Sequence, residues 1–428
     1  MCAQPSLLAW QKALTITANH SPEPSPVTMP LVAAHGLVIA EDVVSAQDIP
    51  LFTSSAMDGF AVIADDVKGA SLESAVTLEV IGEARAGQPF RGEVEHGQAV
   101  EIMTGAPLPA GADTVVKVEE TQRISERQVR IFSAAPPATA VRIAGRDFRK
   151  GELLVHRGEK LTAGLAALLA AAGIGEVAVY PRPKVGIVVT GDELMRPGRN
   201  RAQMEFGAIF DANSAMLELL VKEIGADVIF CEWVKDDPGA LSDVFRSQRG
   251  DYDILILSGG VSKGKYDYVR PLFSDCGGEV LFWGVNQQPG KPLLVGKLDG
   301  KLVFGLPGNP VSAFFCADLY LRTALRRMSG ESDVEPIMVT VLLGEELCKN
   351  DERLAFRRAY LSARGKRVIA YASGPSDSNL VHTIARHHGY ILIPPERARI
   401  RQDEPVQFLL PDPTRVPKEL LKTLLSLV

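Results

Sequence analysis

Between Val185 and Leu321 the chain repeats one figure: a short unbroken apolar run, a turn, then a segment with helical spacing. The runs are VGIVVTG (185–191), DVIFCEWV (227–234), DILILSGG (253–260) and LVFGLPG (302–308). Their length suits strands, and the continuous apolar character of VGIVVTG and of Ile254–Leu257 suits strands buried on both faces, as in a parallel sheet. DANSAMLELLVKEIG (211–225), with Asp211 or Asn213 near its start, and DPGALSDVFRSQ (237–248) space their apolar residues as amphipathic helices do. Parallel strands need long crossovers, and helices supply them, so few folds accept this pattern. It predicts a doubly wound α/β domain whose ligand loops lie at the carboxyl ends of the strands. TGDE (190–193), SGGVSKGKYD (258–267) and GLPGNPVS (305–312) all fall on that edge.

The flanks read differently. SPEPSPVTMP (21–30) and AAPPATA (134–140) are proline-rich connectors. Between them, short Val- and Thr-rich runs such as AVTLEVIGEA and GADTVVKVEE, broken by Gly and Pro, predict an all-β module. TAGLAALLAAAGI (162–174) reads as a buried helix ended by a glycine C-cap. PIMVTVLL, KRVIAYA, GYILIPP and PVQFLLP, beyond about residue 331, predict a small β-barrel or sandwich. At the N-terminus, Ser6 is a candidate cap for an amphipathic helix carrying Leu7, Trp10 and Leu14.

A net charge of −6 over 428 residues argues against a general nucleic-acid binder. The five cysteines (Cys2, Cys231, Cys276, Cys316 and Cys348) form no CxxC pair, which suggests reduced thiols rather than a disulfide framework or zinc site. The seven histidines form no HExxH pattern. The N-terminus lacks the plan of a signal peptide, and no apolar stretch approaches the roughly 20 residues of a membrane span. A cytoplasmic protein is expected.

Several loops carry candidate chemistry. In GLPGNPVS, Asn309 and Pro310 are favoured at a helix start, Gly308 keeps the approach uncrowded, and Ser312 adds a hydroxyl in the first turn. Such an end attracts anions, although a plain capped crossover helix explains the same residues. Ser258, Gly259 and Gly260, with Lys263, Lys265 and Asp267 behind them, suggest a phosphate or oxyanion site without the Walker pattern. In QPGKP (288–292), a rigid Pro-Gly frame presents Lys291, a compact charge suited to oxyanions. Asp192 and Glu193 would repel a bare phosphate, so a hard cation such as Mg²⁺ is the functional reading and a helix-start preference the structural one. Asp58 before a glycine, Thr104 in a Pro/Gly loop, and Arg142, Arg146 and Asp147 have no common purpose on physical grounds.

In order along the chain, SSAMDGFAV, MTGAPLPAGADTVV, AGRDFRKGELL, PKVGIVVTGDEL, DANSAML, ILSGGVSKGKYDYV, QPGKP and GLPGNPVSAFF resemble the molybdopterin molybdenumtransferase family, that of MoeA and the gephyrin E-domain. The resemblance covers nearly the whole chain. It implies insertion of molybdate into adenylyl-molybdopterin, with Mg²⁺, to give molybdenum cofactor and AMP. It implies an elongated N-terminal domain (1–46 and 142–180), an inserted β domain (47–141), an MoCF-like α/β domain that binds molybdopterin (181–330) and a C-terminal β-barrel (331–428). Homodimers are implied too, with the cleft between the α/β domain of one subunit and the inserted region of the other, and a molybdopterin adenylyltransferase is a possible partner.

Residue by residue, Asp58, Asp147, Asp267 and Lys291 match catalytic positions, with Asp58, Thr104 and Asp147 facing the substrate across the dimer interface. Thr104, Thr190, Gly191, Ser258, Gly259, Gly260, Ser262 and Lys263 match substrate-binding positions. So do Pro289, Gly290, Pro292, Pro307, Gly308, Asn309, Pro310, Ser312 and Arg358, the last similar to the family's arginine at the molybdate pocket. Asp192, Glu193 and Asp267 match the Mg²⁺ ligands. Lys265 departs from the family's GVSxG[DE]xD pattern, and PLFTSSAMDG from its FDNSAMDG form. The competing readings are a non-catalytic molybdopterin-binding scaffold and the molybdopterin adenylyltransferase itself.

Overall fold

The computed structural model describes residues 7–198, 205–246, 251–260, 268–349, 351–365 and 367–425. Ser262, Lys263, Lys265 and Asp267 lie outside the described residues. The chain divides into two compact units, residues 28–178 and residues 1–27 with 179–428. The four-domain division expected above is finer than this.

The larger unit is built on a six-stranded sheet of β1 (Lys184–Thr190), β2 (Asp227–Val234), β3 (Ile254–Ser258), β4 (Glu279–Trp283), β5 (Leu294–Leu298) and β6 (Lys301–Leu306). The strand order is β2-β1-β3-β6-β5-β4. Contacts among β2, β1, β3 and β6 are parallel, while β5 and β4 return antiparallel. Side chains alternate between two cores, as strand geometry requires. Val185, Ile187 and Val189 of β1 pack with α1 (Trp10–His20), α2 (Asn213–Ile224) and α5 (Pro310–Cys316), whereas Val188 packs with α3 (Pro238–Arg246) and α4 (Val269–Asp275). Complete burial of each such side chain contributes about 1.5–3 kcal/mol.

Chain direction reverses around β1. From it the chain goes outward to β2, then back past β1 to β3. The carboxyl ends of β1 and β3 therefore flank a switch point, where connections leave in opposite directions and a crevice opens.

Five strands close a barrel in the same unit: β7 (Ile337–Leu343), β8 (Leu354–Arg364), β9 (Arg367–Ala372), β10 (Gly389–Ile393) and β11 (Pro405–Leu410), in the order β8-β9-β7-β11-β10-β8. Closure removes the unpaired strand edges of an open sheet. β8, the longest of the five, was not among the strands expected from the sequence.

In the smaller unit, a six-stranded sheet runs in the order Thr114–Lys117, Gly59–Val62, Gln98–Ile102, Val76–Ala84, Gln128–Ile131 and Thr121–Ser125. Two further expectations need correction. The helix Ala163–Ala171 buries only Leu169, so it is not the buried helix predicted. Its alanines favour helix at little cost when exposed. The N-terminal helix starts at Trp10 rather than after Ser6, because Leu8 is held in a bridge to Val285, and its backbone N–H donates to Gly284 O at 3.3 Å. Among the described residues, no helix is long and apolar enough to cross a membrane.

Candidate functional site

A cavity of about 930 Å³ opens at the carboxyl edge of the parallel strands. Its walls come from the strand ends, from 288–292, and from the 376–379 segment of the barrel. The sequence-predicted residues Thr190, Gly191 and Glu193 line it after β1, and Gly259 and Gly260 after β3. Pro289, Gly290, Lys291 and Pro292 form another wall, and Pro307, Gly308, Asn309, Pro310 and Ser312 a further one.

Glycines allow these loops to converge. Gly259 has φ +107°, and a Cβ there would stand 2.6 Å from the Thr190 carbonyl oxygen. Its N–H donates to Leu306 O at 3.1 Å, drawing together the ends of β1, β3 and β6. Gly290 has φ +82° and no room for a Cβ beside the Cys316 thiol. That turn holds Lys291 on the cavity wall.

Asn213, the first residue of α2, lines the cavity and fastens two of its loops. Its Nδ2 donates to Ser258 Oγ at 2.9 Å and to Gly308 O at 2.8 Å. A carbonyl can only accept, so this fixes the amide orientation, and Asn213 Oδ1 is left buried without a donor. Ser258, 1% exposed, thus supports the wall rather than lining it. Asp211 caps α2, its Oδ1 accepting from the N–H groups of Asn213 at 2.9 Å and Ser214 at 3.1 Å.

Asn309 occupies the N-cap position of α5 without a side-chain capping bond. Its Nδ2 instead reaches Ser378 Oγ at 2.9 Å. Val311 N–H donates to Ser378 O at 3.2 Å, so the helix end offers fewer open donors than its sequence suggests.

Charge on the walls is unevenly committed. Arg353 lines the cavity, but its Nε lies 2.8 Å from Asp351 Oδ1 and its Nη2 also pairs with that carboxylate. The hydrogen bonds from Arg353 hold the Asp351 carboxyl down to about 2. Lys291 is exposed in the cavity and has no ion-pair partner among the described residues. Among the described residues that line the cavity, it is the cation available to an incoming anion. Opposite in sign stand Glu193 and Asp236, both on the wall. Asp236 Oδ1 accepts from Thr190 Oγ1 at 3.1 Å, and its N–H donates to Asp192 Oδ1 at 3.3 Å. Asp192 therefore braces Asp236 from outside the lining.

Arg358 also lies behind the wall. It is 2% exposed and donates to the carbonyl oxygens of Pro375 at 2.7 Å, Ser376 at 3.3 Å and Asp377 at 3.3 Å. Burial lowers its pKa to about 10, which leaves it charged at neutral pH. Arg358 shapes the segment that presents Ser376, Asp377 and Ser378 to the cavity.

Asp58, Thr104 and Asp147 belong to the smaller unit. Asp58 Oδ1 accepts from both the N–H and the hydroxyl of Thr104, each at 2.7 Å. These bonds hold the exposed Asp58 carboxyl below its ordinary range. Gly59 follows because a Cβ there would collide with Val116 O. Asp147 is exposed, with its N–H donating to Ile49 O at 2.9 Å. The short ladder of Ser54–Ser55 with Val141–Arg142 pairs the segments that carry these acids. Thr104→Val is expected to raise the Asp58 pKa toward the ordinary carboxylate range, read by carboxyl-carbon NMR titration; an unchanged titration would show that the hydroxyl bond has no such effect.

Sequence reasoning missed Asp236, Arg353, Asp377 and Ser378. Asp236 carried a usable signal, an acid two residues past Val234 at the end of β2, on the same sheet edge. It falls between the strand DVIFCEWV and the helix DPGALSDVFRSQ, neither of which includes it.

Two family models match the chain: the MoeA N-terminal region (domain I and II) over residues 8–173, and a probable molybdopterin binding domain over 186–327. The molybdopterin molybdenumtransferase 2 of Mycobacterium tuberculosis is 36% identical over 374 residues, 86% of this chain and 91% of that protein. The molybdopterin molybdenumtransferase of Staphylococcus aureus is 30% identical over 414 residues, 96% of this chain and 97% of that protein. Two crystal structures of the molybdopterin biosynthesis MoeA protein of Pyrococcus horikoshii superpose with TM-scores of 0.80 and 0.71, at 31% and 29% identity, over 95% of this chain and 100% of theirs.

Proposed function

Because the chain belongs to the MoeA family of molybdopterin molybdenumtransferases, we propose that it inserts molybdenum, delivered as molybdate, into the dithiolene of adenylylated molybdopterin, releasing AMP and giving molybdenum cofactor. It is a transferase of molybdenum cofactor biosynthesis, with molybdopterin and molybdate as substrates.

The observation that carries the detailed reading is the charge layout of the cavity. Lys291 faces it without an ion pair among the described residues, while Glu193 and Asp236 line another part. Both substrates are anions, one a phosphoanhydride and one an oxyanion. Lys291 and Ser312 suit binding and orienting an oxyanion, because an ammonium and a hydroxyl both donate. Gly259 and Gly308 keep the backbone open to close approach.

Carboxylates beside a phosphoanhydride repel it unless a cation intervenes. Among the described residues, no cluster of three His, Cys, Asp or Glu could cage a metal. Mg²⁺ does not need a cage, since it usually takes one or two carboxylates together with water and substrate phosphate. Glu193 and Asp236 are hard oxygen donors on the cavity wall and fit that role. Mg²⁺ bound there would screen the carboxylates and polarise the phosphoryl group. The proposal extends to a cytoplasmic homodimer, with Asp58, Thr104 and Asp147 acting on substrate held by the other copy, and to a molybdopterin adenylyltransferase as the enzyme that supplies the substrate.

Purified protein given adenylylated molybdopterin and molybdate is expected to yield a product that activates a cofactor-free molybdenum enzyme, more with Mg²⁺ than after chelation. An inert product rejects the proposal. ATP consumption with unadenylylated molybdopterin would mark an adenylyltransferase instead.

A further inference from the structure

We infer that Phe210 is the platform against which a flat heterocycle of the substrate stacks, and so helps to set specificity; the inference rests on the substrate proposed above. Phe210 lines the cavity yet is 41% exposed, and its neighbour Ile209, also on the wall, is 54% exposed. Large apolar side chains at that exposure, held inside a polar cavity, call for a ligand surface to cover them.

The backbone that carries them is pinned on both sides. Leu194–Met195 and Ile209–Phe210 form a short parallel ladder. Ile209 N–H donates to Glu193 O and Asp211 N–H to Met195 O, each at 2.8 Å. Asp211 in turn caps α2. The phenyl ring thus projects from a fixed point, and it makes no ring contact among the described residues.

Leu194, Ile209 and Phe210 make one wall apolar, while Lys291, Asn309 and Ser312 make another polar. A phosphate or a molybdate gains nothing from the apolar wall. A flat heteroaromatic ring does, because any such ring has a π-face to stack. Adenylylated molybdopterin carries two, adenine and pterin, with the phosphoanhydride between them. Either ring on Phe210 leaves the charged centre to the lysine wall.

The test is equilibrium binding of two probes to the full chain: AMP, which carries only adenine, and molybdopterin, which carries only the pterin. Phe210→Ala is expected to weaken one of them by about 5–150-fold, the usual loss when a base-stacking aromatic is removed. Loss confined to AMP assigns the ring to adenine, and loss confined to molybdopterin assigns it to the pterin. Phe210→Trp should retain affinity. Phe210→Leu should lose most of it, since it keeps apolar bulk without a plane. Molybdate binding should not change. If the parent binds the probes and Phe210→Ala binds both equally tightly, the inference is overturned while the proposed function stands. If the parent binds neither probe, the proposed function fails and this inference fails with it.

Discussion

Lys291→Ala is expected to lower turnover by about 10²–10³-fold, the size of loss seen when one preorganised donor to a developing negative charge is removed. The expectation follows from how the other described cation on the cavity wall is used. Arg353 is held by Asp351 and also donates from Nη1 to Gln287 O at 3.3 Å, so its charge is already balanced. Lys291 has no such partner among the described residues. Its ammonium is exposed, so the substitution should leave the melting temperature near that of the parent. Lys291→Arg keeps the charge but changes its shape and reach, and should recover only part of the rate. Parent-like turnover in Lys291→Ala would move the anion site away from the 288–292 wall.

Asp318→Asn should be the most damaging substitution for stability, at about 3–5 kcal/mol, the cost of breaking a buried ion pair by removing one partner. Asp318 is fully buried where α5 continues through a π-helical turn, Ala317–Leu321, into the helix Arg322–Met328. Its oxygens meet Arg322 Nη2 at 2.9 Å, Arg415 Nη1 at 2.7 Å and Tyr390 Oη at 3.0 Å. Burial alone would raise this carboxyl, but His387, Arg415 and Arg322 together hold it well below the usual aspartate range. Because the folded pKa is depressed, its stabilisation is complete above the unfolded value near 4 and is lost only as pH falls through the folded value. The asparagine variant should therefore be less stable by nearly the same amount across pH 5–8. Thermal or urea unfolding against the parent measures this, and a loss under about 1 kcal/mol, as at an exposed pair, would contradict it. The site would feel the change, since Tyr390 lies on β10, which pairs at Arg358 with β8, and Arg358 holds the carbonyls of Ser376 and Asp377 on the cavity wall.

The centre of the α/β sheet was legible because β1, β3 and β6 are apolar runs that the structure buries on both faces, whereas the edge strand β2 buries none of its residues. β8 was illegible for the opposite reason. Arg357, Arg358 and Arg364 interrupt its pattern, and Arg358 is buried because carbonyls of another segment receive it. No local rule shows that a buried arginine will find such partners. Ala163–Ala171 misled in reverse, since apolar composition there reflects alanine rather than core. Within the site, Lys291 and the glycine turns could be read from their strand-end loops. Asp236 lay at a strand end on the right edge but was passed over, and Arg353 could not be separated from a surface charge until the barrel brought it to the cavity. The residues alone gave Asp58, Thr104 and Asp147 no purpose; that came from resemblance.

The most direct measurement is AMP release from adenylylated molybdopterin by the purified protein, with molybdate present and absent. Release that rises with molybdate and matches the cofactor formed is the predicted result. Tight binding of the substrate with no AMP released would contradict the account and make the protein a carrier of molybdopterin.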